Sequence, residues 1–192
     1  LYNTLNSINW MIRAHKNDEA AEMTVALGTI LRSALNKQHY ARIEEEIESL
    51  KKYITIQEYR YRKRVKFDVK CDVSGEYLIP HMTLQPILEN SIYHGVEKML
   101  TPCEVSVSVK EFATGIRIIV SDNGPGMTEE ELDAVRSFRA EAKGHGIGLK
   151  NIYERLKTAF DKDMNFNIDS MPGKGTTVVI EIPKNEVMKD NA

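Results

Sequence analysis

Ile116-Arg117-Ile118-Ile119-Val120-Ser121-Asp122-Asn123-Gly124-Pro125-Gly126 decides how the chain is read. Ile116, Ile118 and Val120 recur at the spacing of a strand. Asp122 stands at the end of that strand, and two glycines follow at once. Glycines there let the backbone turn sharply and let a planar ligand approach closely. A carboxylate at the same point is able to accept a hydrogen bond from an exocyclic amine. A plain turn explains these residues equally well, because Asn-Gly and Gly-Pro are ordinary turn dipeptides. The surrounding sequence has to choose between the two.

Upstream, Val105, Val107 and Val109 alternate with serines and give another strand, joined to the first by a turn around Gly115. Further upstream, Val65, Phe67, Val69, Cys71 and Val73 alternate with Lys66, Asp68, Lys70 and Asp72, the pattern of a half-buried strand. Between these, Pro80 is expected to open a helix running to about His94, with Gly95 as its C-cap. Downstream, Thr128 to Phe138 forms a short helix, in which Thr128 caps and Glu131 completes a capping box. A glycine-rich loop at 143–148 leads into a helix ending near Phe160. Met164–Ile168 and Thr177–Ile182 make a closing pair of strands. Several strands are hairpin neighbours, so the expected fold is α+β: a sandwich with helices on one face of a mixed, mostly antiparallel sheet.

The first third of the chain is helical. Leu1, Leu5, Ile8 and Ile12 form one apolar stripe, and Met23, Leu27, Ile30 and Ala34 a second, widened by Leu31 and Leu35. Two such helices pair as a hairpin, and a second copy of the chain would complete a four-helix bundle; an intrachain helical cap is the alternative. A third helix is expected from Ile43 to about Tyr61, with Glu44, Glu45 and Glu46 in its first turn, as the helix dipole favours. These readings divide the chain into a helical dimerisation segment at 1–61 and an α/β domain at 62–192.

Composition excludes several classes. The net charge is -2, so no bulk attraction to nucleic acid or anionic lipid is implied, and no nucleic-acid partner is expected. The basic run Arg60, Arg62, Lys63, Arg64 and Lys66 reads as a solvated face. Cys71 and Cys103 lie far apart and in no ligand spacing, which argues against a zinc site or a disulfide framework and fits a reducing compartment. The longest strongly apolar stretches, such as Gly115 to Val120, are too short to span a bilayer.

Three further clusters accompany Asp122. In Gln85-Pro86-Ile87-Leu88-Glu89-Asn90-Ser91-Ile92-Tyr93-His94-Gly95, the apolar arc is Leu84, Ile87, Leu88 and Ile92. Asn90 and His94 lie one turn apart, off that arc. An amide oxygen and an imidazole so aligned suit a metal-bound phosphate chain; a surface or capping Asn is the plainer reading. Gly144-His145-Gly146-Ile147-Gly148-Leu149 opens a helix, where backbone N–H groups and the positive dipole end favour phosphate. It is neither a Walker loop, since no Lys-Ser or Lys-Thr follows, nor a Rossmann fingerprint. Gly173-Lys174-Gly175-Thr176 lies between two strands. It is either a hairpin or a hairpin that also places the Thr176 hydroxyl at the mouth of the same pocket.

In this order the four clusters resemble the N, G1, G2 and G3 boxes of the GHKL superfamily, which includes gyrase, Hsp90, histidine kinases and MutL. The resemblance covers about Tyr77 to Pro183 and implies the Bergerat fold and ATP binding. Gln85 to Asn90 with His94-Gly95, and Gly146-Ile147-Gly148-Leu149-Lys150-Asn151-Ile152-Tyr153-Glu154-Arg155-Leu156, are similar to sensor histidine kinases of the LytS/YesM kind. Leu1-Tyr2-Asn3-Thr4-Leu5-Asn6 is similar to the tail of that family's phosphoacceptor motif, Asn-Pro-His-Phe-Leu-Tyr-Asn-Thr-Leu-Asn. The acceptor histidine would then lie just upstream of Leu1; His15 and His39 do not match it.

The resemblance implies roles. Asn90 would coordinate Mg²⁺ between the ATP phosphates. Asp122 would bind the adenine amino group, helped by Gly124, Gly126 and Thr176. Gly144, His145, Gly146, Ile147, Gly148 and Leu149 would form a short lid over the phosphates, with His94 nearby. Glu89 would be a polar or basic group at the magnesium edge. It also implies a homodimer, a response regulator that receives the phosphoryl group, a cytoplasmic location, and membrane attachment only through segments upstream. Two positions depart from the wider pattern. Tyr93 stands where many histidine kinases carry Lys or Arg. Pro86 stands where GHKL ATPases and related serine kinases place a Glu general base. A neutral imidazole is already nucleophilic, so Pro86 favours a histidine acceptor over a GHKL ATPase or serine kinase. A non-enzymatic module with a vestigial site is the remaining alternative.

Overall fold

The structure, a computed structural model, describes residues 2–35, 38–61, 64–96, 102–137 and 147–184. Helices α1 (Tyr2–Arg13) and α2 (Asn17–Ala34) fold back on each other, and a short strand β1 (Tyr40–Arg42) leads into α3 (Ile43–Tyr61). The α1–α2 hairpin closes around Ile8, Met11, Met23, Ala26 and Leu27 and rests on Ile56 of α3. The expected α1 stripe is only half right. Ile8 is buried, but Leu5 and Ile12 are 50% and 55% exposed, and Met11 takes the inner place. The hairpin partner meets the Ile8–Met11 side of α1, which leaves Leu5, Ile12 and Trp10 outward.

Among the described residues, the rest is a five-stranded sheet with helices on one side, and a short strand, β3 (Leu78–Pro80), that pairs with β1 in a separate two-stranded sheet. In chain order its elements are β2 (Val65–Asp72), a short β3 (Leu78–Pro80), α4 (Leu84–Val96), β4 (Cys103–Phe112), β5 (Gly115–Asp122), α5 (Glu129–Arg136), α6 (Ile147–Phe160), β6 (Asn165–Met171) and β7 (Gly175–Pro183). The sheet order is β2-β4-β5-β7-β6. Among the described strands only β2 and β4 are parallel, in register Val65 to Cys103, and α4 lies in the crossover between them. Alternation sends Val105, Val107, Ile116, Ile118, Val178 and Ile180 to one face. There they meet Leu50 of α3, Leu88 of α4, Leu132 of α5 and Leu156 of α6. Each fully buried aliphatic side chain contributes about 1.5–3 kcal/mol. The opposite face is wet and carries ion pairs such as Arg117–Glu181.

Because α3 contributes Ile43, Ile47, Leu50 and Ile54 to the sheet core and Ile56 to the hairpin core, it joins the two layers. The capping box at Thr128 is formed as expected. The start of α4 is not where Pro80 suggested. Pro80 ends β3, opposite Tyr40 of β1, and α4 begins at Leu84. The cap comes instead from Glu46 of α3, whose carboxylate accepts the Thr83 and Leu84 N–H groups at 2.9 and 3.2 Å. The helix also runs through Gly95 to Val96 rather than stopping before the glycine.

Candidate nucleotide site

β5 delivers Asp122 to the edge of the helical layer. Two backbone amides converge on one carboxylate oxygen, Oδ1: Gly124 N–H at 2.8 Å and Thr176 N–H at 3.2 Å. Ser91 of α4 faces the same carboxyl group and its hydroxyl favours the charged form. Burial pushes the Asp122 carboxyl above its ordinary range, and these donors oppose that rise. The result is a partly desolvated carboxyl group in a fixed orientation, an acceptor for an amine.

The turn after Asp122 is tied on both sides. Asn123 exchanges hydrogen bonds with the Glu104 backbone, and Pro125 accepts from Gly173 N–H at 2.7 Å. Gly126 has φ +67°, and a Cβ there would fall 1.9 Å from the Met171 carbonyl oxygen. This glycine is therefore required by the approach of a neighbouring backbone, a more specific reason than the sequence offered. Thr176 meets Asp122 through its backbone; its hydroxyl lies 3.0 Å from Ser170 Oγ.

The second half of the site is where α4 meets the first turn of α6. A Cβ on Gly148 would sit 3.4 Å from Asn90 Nδ2 and 3.9 Å from Oδ1, so the glycine admits the amide against the helix start. Asn90 and Ser91 are adjacent on α4, one reaching α6 and the other Asp122. Consecutive side chains thus span the two halves of the site. Ser91 was not singled out in the sequence; a serine after the box Asn carries no signal until β5 is known to pass beneath it.

Glu89 and Leu149 also have described surroundings. Glu89 accepts from Gln85 Nε2 at 2.8 Å, and its charge, after burial, raises the Tyr53 phenol on α3. Leu149 is buried in the core. Gly144, His145 and Gly146 lie outside the described residues, as do the side chains of His94 and Ile147.

Residues 77–186 match the family model for histidine kinase-, DNA gyrase B-, and HSP90-like ATPases. The chain belongs to that family. Its first 65 residues match a histidine kinase model. Among curated relatives, the sensor histidine kinase YesM of Bacillus subtilis is 38% identical over 191 residues, which is 98% of this chain and 32% of that protein. The sensor histidine kinase/phosphatase LytS of Staphylococcus aureus is 30% identical over 189 residues, 95% of this chain and again 32% of the relative. The chain therefore spans about a third of the length of these relatives. Among solved structures, the catalytic domain of histidine kinase ThkA aligns with TM-score 0.59 at 18% identity, covering 77% of this chain and 99% of that one. The histidine kinase domain of an Erythrobacter litoralis blue-light activated kinase aligns with TM-score 0.55 at 20% identity, covering 90% and 82%. Both share this fold. An ATPase domain of this family implies a nucleotide ligand, for which the paired halves of the site offer an amine acceptor and a helix start.

This family's nucleotide usually comes with Mg²⁺. Among the described residues no group of three or more His, Cys, Asp or Glu side chains gathers as a metal cage. A single amide oxygen beside a phosphate-suited helix start still fits Mg²⁺, which keeps several waters and takes few protein ligands alongside phosphates. No helix among the described residues is long and apolar enough to cross a membrane.

Proposed function

We propose that this chain is the ATP-binding catalytic core of a sensor histidine kinase, passing the γ-phosphoryl group of ATP to a histidine and then to an aspartate of a response regulator. The observation that carries the reading is the placement of Asn90 and Ser91. From neighbouring positions on α4, one abuts Gly148 and the other faces Asp122.

Asp122 accepts the adenine amino group. The N-terminal turn of α6 donates to the phosphates, and the Asn90 oxygen would hold the metal. Bound there, Mg²⁺ would neutralise charge on the phosphate oxygens. Positioning and electrostatics supply most of the rate in such transfers. The bond from the γ-phosphorus to the bridging oxygen breaks, one to the imidazole nitrogen forms, and ADP leaves. Pro86 occupies the turn before Asn90 and has no side chain able to deprotonate water, which favours an imidazole acceptor over hydrolysis. His81 is a poor acceptor, because its ring nitrogens face Glu46 Oε1 at 2.9 Å and Ser33 O at 2.8 Å. The outward apolar residues Leu5, Trp10 and Ile12 of α1 suit a second copy of the chain and thus a dimer.

The test uses labelled ATP with Mg²⁺ and two chains: this one, and the same chain extended at its N-terminus by Asn-Pro-His-Phe. The reading expects nucleotide binding by both and acid-labile, base-stable phosphate on the extended chain alone. Label on the unextended chain, or rapid ATP hydrolysis abolished by Asn90→Ala, would contradict it.

A further inference from the structure

A buried polar junction lies away from the Asp122–Asn90 site, and the mechanism above does not use it. Its centre is Glu46, in the first turn of α3 and only 4% exposed. All the acceptor capacity of this carboxylate goes to the turn before α4. Oε1 accepts Met82 N–H at 2.8 Å and contacts His81 Nδ1 at 2.9 Å. Oε2 accepts the N–H groups of Thr83 and Leu84. Three of the donors are backbone amides at the start of α4, where a negative charge also meets the favourable end of the helix dipole. Met82 is held at φ 60°, which is costly for a residue with a side chain and persists only where its surroundings enforce it.

Two further contacts make the turn a junction. His81 Nε2 lies 2.8 Å from the carbonyl oxygen of Ser33, in the last turn of α2. From the other side, Arg155 of α6 donates to the carbonyls of His81 and Met82 at 2.6 and 2.8 Å. One three-residue turn is therefore gripped by α2, α3 and α6 while it launches α4.

The geometry connects this junction to the nucleotide site. α6 meets the turn that launches α4 through Arg155, at the His81 and Met82 carbonyls, and meets α4 itself where Asn90 lies against Gly148. From Leu84 to Asn90 is about 9 Å of helix, and from Arg155 back to Gly148 about 10 Å. The two helices thus run antiparallel, pinned at one end by the junction and carrying the phosphate half of the site at the other. Asp122 sits on β5, a separate support.

We infer that Glu46 and Arg155 are positioning residues for nucleotide binding, setting the approach of Asn90 to the start of α6, and that the Ser33–His81 contact ties this setting to the helical hairpin. This rests on the nucleotide reading above. Neither residue touches the nucleotide; both act through α4 and α6. Because they govern the phosphate half, their loss weakens ligands that carry phosphates and spares those that carry only the base and sugar.

The experiment measures Mg–ADP and adenosine affinities by calorimetry for the 192-residue chain, Glu46→Gln and Arg155→Lys, with thermal melts alongside. The Gln amide places a donor against a backbone donor of the turn, and Lys reaches one carbonyl where Arg reaches two. The expected result is a fall of tenfold or more in the ratio of Mg–ADP to adenosine affinity in Glu46→Gln, and a smaller fall in Arg155→Lys. An unchanged ratio in a folded variant, or equal weakening of both ligands, overturns the inference and leaves the nucleotide reading standing. Should Glu46→Gln fail to fold, Arg155→Lys decides by the same ratio. A wild-type chain that binds neither ligand at millimolar concentration overturns the nucleotide reading itself.

Discussion

Asp122→Asn keeps the shape of a side chain and removes its charge, so the substitution separates stability from affinity. In the fold, Oδ1 accepts the N–H groups of Gly124 and Thr176. An amide oxygen retains both bonds. The carboxyl's folded pKa is raised by burial above its ordinary 3.8. A raised folded pKa contributes stability that is fully present below the unfolded value and lost as pH rises through the folded one. The wild type loses that contribution as pH rises through the folded value, whereas the neutral amide has no charge to desolvate. The variant should therefore melt at or above the wild-type temperature at pH 7, with the difference shrinking toward pH 3.8. Nucleotide affinity should move the other way. A hydrogen bond to a charged acceptor is worth about 1.5–3 kcal/mol, or about 10- to 150-fold in affinity. With its oxygen held by the backbone, the amide turns its NH₂ toward the base, where it opposes adenine's amino donor but matches the O6 acceptor of guanine. Calorimetry with Mg–ADP and Mg–GDP should show the first weakened by at least tenfold and the second gaining relative to it. A folded variant with unchanged Mg–ADP affinity would refute the assignment of Asp122 to the base.

Other perturbations are equally definite. Gly148→Ala fills the space beside the Asn90 amide, 3.4 Å from its nitrogen, while gaining up to about 1 kcal/mol of helix propensity; its melting temperature should hold or rise while Mg–ADP affinity falls. Gly126→Ala meets both a left-handed φ and the Met171 carbonyl, and should cost more than about 2 kcal/mol in urea unfolding. Glu111, bonded by the Ser74 N–H, the Ser74 hydroxyl and the Tyr77 hydroxyl, has its pKa held down to about 2 from 4.5. The stability it contributes is present above 4.5 and lost as pH falls through about 2, so the gap between wild type and Glu111→Gln in urea unfolding should close across that window. Cys103 is fully buried with its thiol pushed up to about 11, whereas Cys71 is half-buried; alkylation at pH 8 should label Cys71 first and Cys103 only on unfolding.

Strand periodicity and the glycine clusters made the sheet, its one-sided helical layer and the Asp122 turn legible before any coordinates. The α4 start was not, because the carboxylate that caps it, Glu46, lies 37 residues before Thr83 in sequence, beyond the reach of local cap rules. β1 and β3 escaped because three residues are too few to display a period. Ser91 and the junction around His81 escaped for a related reason: their meaning depends on which elements cross, and only the parallel β2–β4 crossover brings α4 over the end of β5. Leu5 and Ile12 misled because amphipathic spacing marks a face to be covered without saying by what.

The central claim is that Asp122 and the Asn90–Gly148 pair hold two ends of one nucleotide. A crystal structure of the chain with Mg²⁺ and a non-hydrolysable ATP analogue tests it directly. The account expects the adenine amino group within hydrogen-bond distance of the Asp122 carboxylate, the phosphates at the first turn of α6, and the Asn90 oxygen on the metal. An analogue bound elsewhere, or with its base turned away from Asp122, would contradict it.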